Sequence, residues 1–255
     1  MIRDSLILAK RTVTKMFRNP EQFIDVTVQP IIMTVIFVFI FGGAIAGSTG
    51  KYVEFALPGI IVQTIMFTSL TIGVNLNTDI QKGIFDRFRS LPIARSAPLF
   101  GAVLGDVVRH TIAIAVTLIF GAIIGFEFHT PWWHVLIAYV VIVGFAVSLC
   151  WVSVLIGMLA RSSGAVQGIS FLIVFPLTFG SSTFVPASTL PSWLQGWVSI
   201  NPVTHVIESM RGLLTGTTGV AGDTITSQIL WVLASCVVLF GVFFPLATWA
   251  YRRKI

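Results

Sequence analysis

The chain has 255 residues, 55% of them hydrophobic and 10% charged, with a formal net charge of +6 and a mean hydropathy of +0.93. Soluble domains carry about 25% charged residues, and here apolar stretches recur from end to end, which excludes a water-soluble globule and a separate soluble enzymatic domain. The basic excess does not mark a nucleic-acid binder, because the cations sit between apolar spans rather than on one solvated face.

The first element is amphipathic. At about 100° per residue, residues 2–18 place Ile2, Leu6, Ala9, Val13, Met16 and Phe17 on one face and Arg3, Lys10, Arg11, Lys15 and Arg18 on the other. That pattern predicts an interfacial helix along the bilayer surface with its cations near anionic head groups. It serves either as an anchor or as a cuff that also touches a cytoplasmic partner. Asn19-Pro20 ends it.

A hydrocarbon core about 30 Å thick needs roughly 20 apolar residues in a helix. Six stretches qualify, near 26–46, 55–76, 99–125, 135–159, 166–184 and 229–251, and only the third contains an Asp, Glu, Lys or Arg. Ala44-Ile45-Ala46 resembles a signal-peptide cleavage site, but the first stretch has the length of a spanning helix rather than of a leader's apolar region. Of the 16 Lys and Arg residues, 14 fall on one side of the six spans, and only Lys51 and Arg211 on the other. Cations are retained on the cytoplasmic side, so both termini are expected there.

Within the second stretch, Thr64, Thr68, Thr71, Asn75 and Thr78 form one polar stripe. It reads either as hydroxyls bonded to the preceding turn and gluing helices together, or as the wall of a substrate path. The connection that follows, residues 78–98, has Thr78 as a helix cap, Ile80, Ile84, Phe88 and Leu91 at helical spacing, and Pro92 as a stop. Lys82, Asp86, Arg87 and Arg89 occupy the other face. A solvated loop has no use for Phe85 and Phe88, so this helix is expected to dock, either on the membrane surface or in a groove of a soluble subunit.

Asp106, Arg109 and His110 open the third span, where an i,i+3 pair of Asp106 with Arg109 at the interface is expected. Glu127, His129 and His134 flank Trp132-Trp133 in an outer loop. With no further ligands at hand, no metal site is expected at the two histidines. Cys150 and Cys236 read as small apolar residues rather than as a disulfide or metal ligands. The fifth span offers Gln167, Ser170, Phe171, Phe175 and Phe179, with Gly164 and Gly168 at close-packing spacing. Aromatics beside a polar stripe suit an amphiphilic, partly aromatic cargo.

Between the last two spans, Pro186 and Pro191 punctuate the chain and 192–199 can form a short helix with interfacial Trp193. Asn201-Pro202 is a cap followed by proline at the first helical position. Beyond it Val203, Val206, Ile207, Met210 and Leu214 share a face, and Glu208 can pair with Arg211. These elements are too short and polar to cross a bilayer and are expected to dip in from outside or to cap a cavity.

Two stretches, GIFDRFRSLPIARSAPLFGAVLGDVVR (83–109) and FVPASTLPSWLQGWVSINPVTHVIESMRGLLTG (184–216), set among six spans behind an amphipathic start, resemble the type-2 ABC exporter permeases of the daunorubicin-resistance branch. The likeness covers essentially the whole chain. It implies a single all-α domain, residues 1–255, in the bacterial cytoplasmic membrane, with six transmembrane helices. Residues 78–91, including Ile80, Ile84, Phe85, Arg87, Phe88 and Arg89, would be the coupling helix seated in a cleft of the ATP-binding subunit. Residues 186–215, including Pro191, Trp193, Asn201, Pro202, Glu208 and Arg211, would be re-entrant helices shaping an outer gate. Spans two and five, with Thr64, Thr68, Thr71, Asn75, Gln167, Phe171 and Phe175, would line the substrate path. The resemblance further implies two copies of the ATP-binding subunit, a second permease copy, and a bilayer around them. The cargo would be a drug-like or lipid-linked amphiphile, or alternatively a polysaccharide or teichoic-acid precursor.

The only Gly-Lys step, Gly50-Lys51, lacks the upstream glycine of a phosphate-cradling loop. The chain is therefore expected to bind no cofactor and to be no enzyme, with ATP and magnesium held by the partner subunit. An ion-coupled transporter or membrane enzyme would carry ionisable groups at mid-bilayer, which five of the six stretches lack.

Overall fold

A computed structural model describes residues 2–85, 96–218 and 224–254. Among them every regular element is helical. They are α1 (Ile2–Arg18), α2 (Pro20–Val35), a π-helical stretch (Ile36–Phe41), α3 (Gly42–Ala46), α4 (Thr49–Gln81), α5 (Ala97–Ile123), α6 (Trp132–Leu159), α7 (Ser163–Phe179), a 3-10 turn (Ala187–Thr189), α8 (Ser192–Ile200), α9 (Pro202–Thr215) and α10 (Ile225–Lys254).

Five segments, Pro20–Phe41, Thr49–Gln81, Ala97–Ile123, Trp132–Leu159 and Ile225–Arg253, are long and apolar enough to cross a membrane. The fifth expected span, 166–184, is instead the 17-residue helix α7, about 25 Å long, with Pro176 near its end and Gly180 just beyond. Other boundaries move outward because capping, invisible to hydropathy, extends the helices. Ser48 accepts a hydrogen bond from the Lys51 amide, and Ser162 one from the Ala165 amide, each starting a helix several residues before the apolar run.

At its other end α4 runs unbroken to Gln81. Thr78 therefore does not cap a new helix; its hydroxyl donates to the Val74 carbonyl at 2.9 Å inside the last turns of α4. The expected helix over 78–91 is corrected on this point: Thr78–Gln81, including Ile80, belong to the spanning helix, and Gly83, at φ 66°, marks the turn out of it.

Helix α4 is the centre of the bundle. From Tyr52 to Met66 nearly every residue is buried, and α5, α6, α7 and α9 all pack on it. Its crossing with α6 is a backbone contact. A Cβ added to Gly73 would lie 2.3 Å from the Ser153 carbonyl oxygen, and one on Gly157 would lie 2.5 Å from that of Gly73. Small residues allow this approach, which in a bilayer replaces the hydrophobic drive between helices. Hydrogen bonds then fix it: the Gly73 amide donates to Ser153 Oγ at 3.1 Å, and Asn77 Nδ2 donates to the Gly157 and Ala160 carbonyls at 2.9 Å each. Gly164 and Gly168 take no part in close packing within this chain: both are exposed, with nothing within 4 Å of an added Cβ.

Helix α1 lies against α5, with Ser5, Ala9 and Met16 buried and Gly101 and Gly105 giving it room. Leu6, Ile7 and Phe17 remain exposed. Lys15 and Arg11 reach Asp79 at the end of α4, at 3.2 and 3.7 Å.

Candidate functional site

The half-open side of α4 carries most of the polar stripe. Thr64, Phe67, Thr71, Asn75 and Thr78 are half-buried, whereas Thr68 is buried. Two helices flank this strip. On one side Gln22 of α2 donates to Asn75 Oδ1 at 3.5 Å; on the other Phe67 meets Phe171 of α7 at 5.9 Å between ring centroids.

From there aromatic rings follow one another along α7. Phe171 contacts Phe175 at 5.3 Å, Phe175 contacts Phe179 at 4.4 Å, Phe179 reaches Phe184 at 5.6 Å, and Phe184 stacks on Phe37 of the π-helical stretch at 3.7 Å. Phe171, Phe175 and Phe179 are each nearly half exposed, and Gln167 one turn below is exposed. This face thus sets half-buried polar side chains of α4 beside a row of half-exposed rings on α7, a pairing complementary to a flat, amphiphilic solute. The i,i+4 spacing of the phenylalanines is legible in the sequence; the continuation to Phe184 and Phe37 is not.

At one end of this face the chain closes on itself through a buried polar knot. After α7, Ser181, Ser182 and Thr183 turn in a buried segment pressed against Gly59 of α4. Helix α9 lies beside it, buried at every position from Val203 to Leu214 rather than on one face only. Asn201 caps α9 by accepting from the Val203 amide at 3.0 Å, while its Nδ2 donates to the Leu177 and Gly180 carbonyls at 2.8 and 2.9 Å. One side chain thereby starts α9 and terminates α7, and Pro202 takes the first helical position.

Glu208 and Arg211 form the expected i,i+3 pair at 2.5 Å, both almost completely buried. Ser182 Oγ donates to Glu208 at 2.6 Å. Arg211 donates to the carbonyls of Phe55 and Ser182, each at 3.1 Å from Nη2, with its guanidinium 3.9 Å over the Phe55 ring. Burial draws the Arg211 pKa below its ordinary value, and the charge and hydrogen bond of Glu208 act against that. A guanidinium so shared satisfies a buried charge and joins α4, α9 and the turn after α7 at one point. Phe55 and Tyr52, whose hydroxyl donates to the Phe184 carbonyl at 3.0 Å, have partners over 100 residues away, and Ser182 lies in a turn 26 residues from Glu208, so none of the three carries a sequence signal for this role. Trp193 of α8 is exposed outside the knot, and Pro191 sits at that helix's start.

The connection after α4 is anchored on the chain itself. Phe85 is 3% exposed and meets Tyr251 of α10 edge-on at 5.8 Å, with Ile72, Leu76 and Leu99 in the same apolar core. The expectation that Phe85 faces an outside partner is therefore corrected. Ile80 packs on that core and Ile84 is half-buried; Arg87, Phe88 and Arg89 lie outside the described residues. Asp106 and Arg109 form the expected i,i+3 pair, 3.6 Å apart and 2 and 3% exposed.

Several apolar helices of spanning length, with a buried polar knot at one end of the bundle, mark a multi-pass membrane protein. The family model for ABC-2 type transporters matches residues 4–215, and the chain belongs to that family. It is 39% identical over 235 residues to the daunorubicin resistance ABC transporter permease protein DrrB1 of Streptomyces coeruleorubidus, covering 92% of this chain and 81% of that one. It is 25% identical to the probable doxorubicin resistance ABC transporter permease protein DrrC of Mycobacterium tuberculosis, over 99% of this chain and 89% of the relative. To the inner membrane transport permease YadH of Escherichia coli it is 24% identical, over 91% of this chain and 89% of the relative.

Proposed function

We propose that the chain is the membrane subunit of an ATP-driven exporter of hydrophobic or amphiphilic, partly aromatic compounds, working as two copies with two copies of a separate ATP-binding subunit that holds ATP and magnesium. The observation that carries this reading is one face of the chain, where α4 offers hydroxyls and an amide and α7 offers three half-exposed phenylalanines. A second permease copy facing it would close a conduit. The names of the relatives, which specify resistance to daunorubicin and doxorubicin, support a drug-like cargo over a polysaccharide precursor.

In this reading α7 is the remaining membrane crossing, made long enough by the turn after it, which gives six spans with both termini in the cytoplasm. Helices α8 and α9 enter from outside and return, and the Asn201, Glu208 and Arg211 knot is the fixed side of the outer gate, with Pro191 and Trp193 on its rim. Work from the ATP-binding subunit enters through the connection after α4, with Arg87, Phe88 and Arg89 as contacts to that subunit and Phe85 transmitting the push to α10 and α4.

Co-expression with an ATP-binding subunit in inverted vesicles tests this. ATP-dependent uptake of a fluorescent aromatic amphiphile is expected, abolished when that subunit cannot hydrolyse ATP and strongly reduced in Phe171→Ala/Phe175→Ala. Uptake by the permease alone, or failure of any ATP-binding subunit to co-purify, sinks the reading.

A further inference from the structure

Inside the bundle, where an apolar interior should hold nothing ionisable, three potential metal ligands converge. Asp106 and His110, one turn apart on α5, and Cys150 of α6 bring a carboxylate oxygen, an imidazole nitrogen and a thiol sulfur within 4.8 Å of one another, all three residues buried. His110 Nε2 lies 3.6 Å from Cys150 Sγ and 3.4 Å from Ser69 Oγ of α4. The Ser69 hydroxyl donates to the Ile65 carbonyl at 2.8 Å, so its lone pairs remain for the cluster.

Ionisable groups buried among membrane helices are expensive and mark function by default. Among the described residues Asp106 Oδ2 and His110 Nδ1 are buried with no hydrogen-bond partner, which leaves the cluster incomplete. Asp106 Oδ1 has only Arg109 Nε, at 3.6 Å, while Arg109 Nη2 turns away to Gln22 Oε1 at 3.3 Å.

The donor set is that of a d10 ion. Tetrahedral zinc takes imidazole at about 2.0 to 2.1 Å and thiolate at about 2.3 Å, which fixes the nitrogen-to-sulfur edge at about 3.6 Å, the separation found between His110 and Cys150. We propose that Asp106, His110 and Cys150 form an intramembrane site for a thiophilic divalent ion, zinc in the first instance, with Ser69 or a water as fourth ligand. Binding expels the Cys150 thiol proton. Carboxylate and thiolate then balance the two positive charges of the ion. The ion would staple α4, α5 and α6 together. Nothing in the spacing of the sequence announces it, since Cys150 follows His110 by 40 residues.

The test uses the full chain in lipid nanodiscs, stripped with a chelator and then titrated separately with zinc and with cobalt(II). The expected result is about one zinc per chain retained after desalting, and a thiolate-to-cobalt charge-transfer band in the near ultraviolet. Affinity should fall by at least about tenfold in Cys150→Ser and His110→Gln, and Cys236→Ser should match the wild type. Retention by the wild type of less than about a tenth of an equivalent, or an unchanged cobalt spectrum in Cys150→Ser, overturns the proposal. Should His110→Gln fail to insert, the wild-type stoichiometry and the nearly isosteric Cys150→Ser still decide.

Discussion

Helix α4 is held in opposite ways on its two sides. Toward α6 it is sealed: Gly73, Ser153 and Gly157 bring backbones into contact, and Asn77 ties the two helices again near their ends. Toward α2 and α7 it is half-open, with threonines and an amide under an aromatic wall that reaches past the chain's own packing. Each side uses small or hydroxyl-bearing residues, and the sequence looks alike on both. The difference is whether a backbone or a row of rings stands opposite, and it separates a fixed frame from a wall able to move.

The sharpest way to break this comparison is at the sealed side. Gly157→Ala would push a Cβ into the Gly73 carbonyl oxygen, 2.5 Å away with no flexible side chain to yield, and should cost about 3 kcal/mol or more. A large fall in thermal midpoint and in the folded yield is expected; an unperturbed midpoint would mean the crossing is not a backbone contact.

Next in size is the knot. Arg211→Met leaves Glu208 buried without its cation and should destabilise by about 3 to 5 kcal/mol, whereas Glu208→Gln with Arg211→Met should recover part of that. A double variant no better than the single would show that Ser182 and Phe55, not Glu208, are the essential partners. Asn201→Ala removes a helix cap worth about 1 kcal/mol and two further bonds to carbonyls, and should loosen α8 and α9, read as faster amide exchange there than in α4.

On the open side the effects should appear in transport and not in folding. Phe171→Ala with Phe175→Ala removes rings that are nearly half exposed. The thermal midpoint should move little while ATP-dependent uptake falls severalfold; equal losses of both would mean the rings are packing. The smallest effect is expected at Gly168→Ala, which meets nothing within 4 Å and should be neutral or stabilise by up to about 1 kcal/mol. A loss of dimer without a loss of fold in that variant would place the second copy against this face.

Much of this was legible in residue order. The amphipathic start, the uncharged stretches, the Asn201-Pro202 helix start and the Glu208 pairing with Arg211 are local, set by neighbours within four residues, and the structure contains each of them. Where sequence reading failed, the missing information was long-range. Gly164 and Gly168 have the spacing of a packing motif but face outward, while Gly73 and Gly157 make the close contact from 84 positions apart. Phe85 has the look of an outward hook and is buried against Tyr251, which lies far along the chain.

The sequence by itself determined that the chain lives in a bilayer, which stretches are helical and where polar groups interrupt them, because hydropathy and capping act over a few residues. The tertiary structure alone decided which of those polar groups are sealed and which are open, and that Ser69, Asp106, His110 and Cys150 meet in one cluster. Burial is a property of what stands opposite a side chain, and in a membrane, where lipid and protein are equally apolar, the order of residues does not record it.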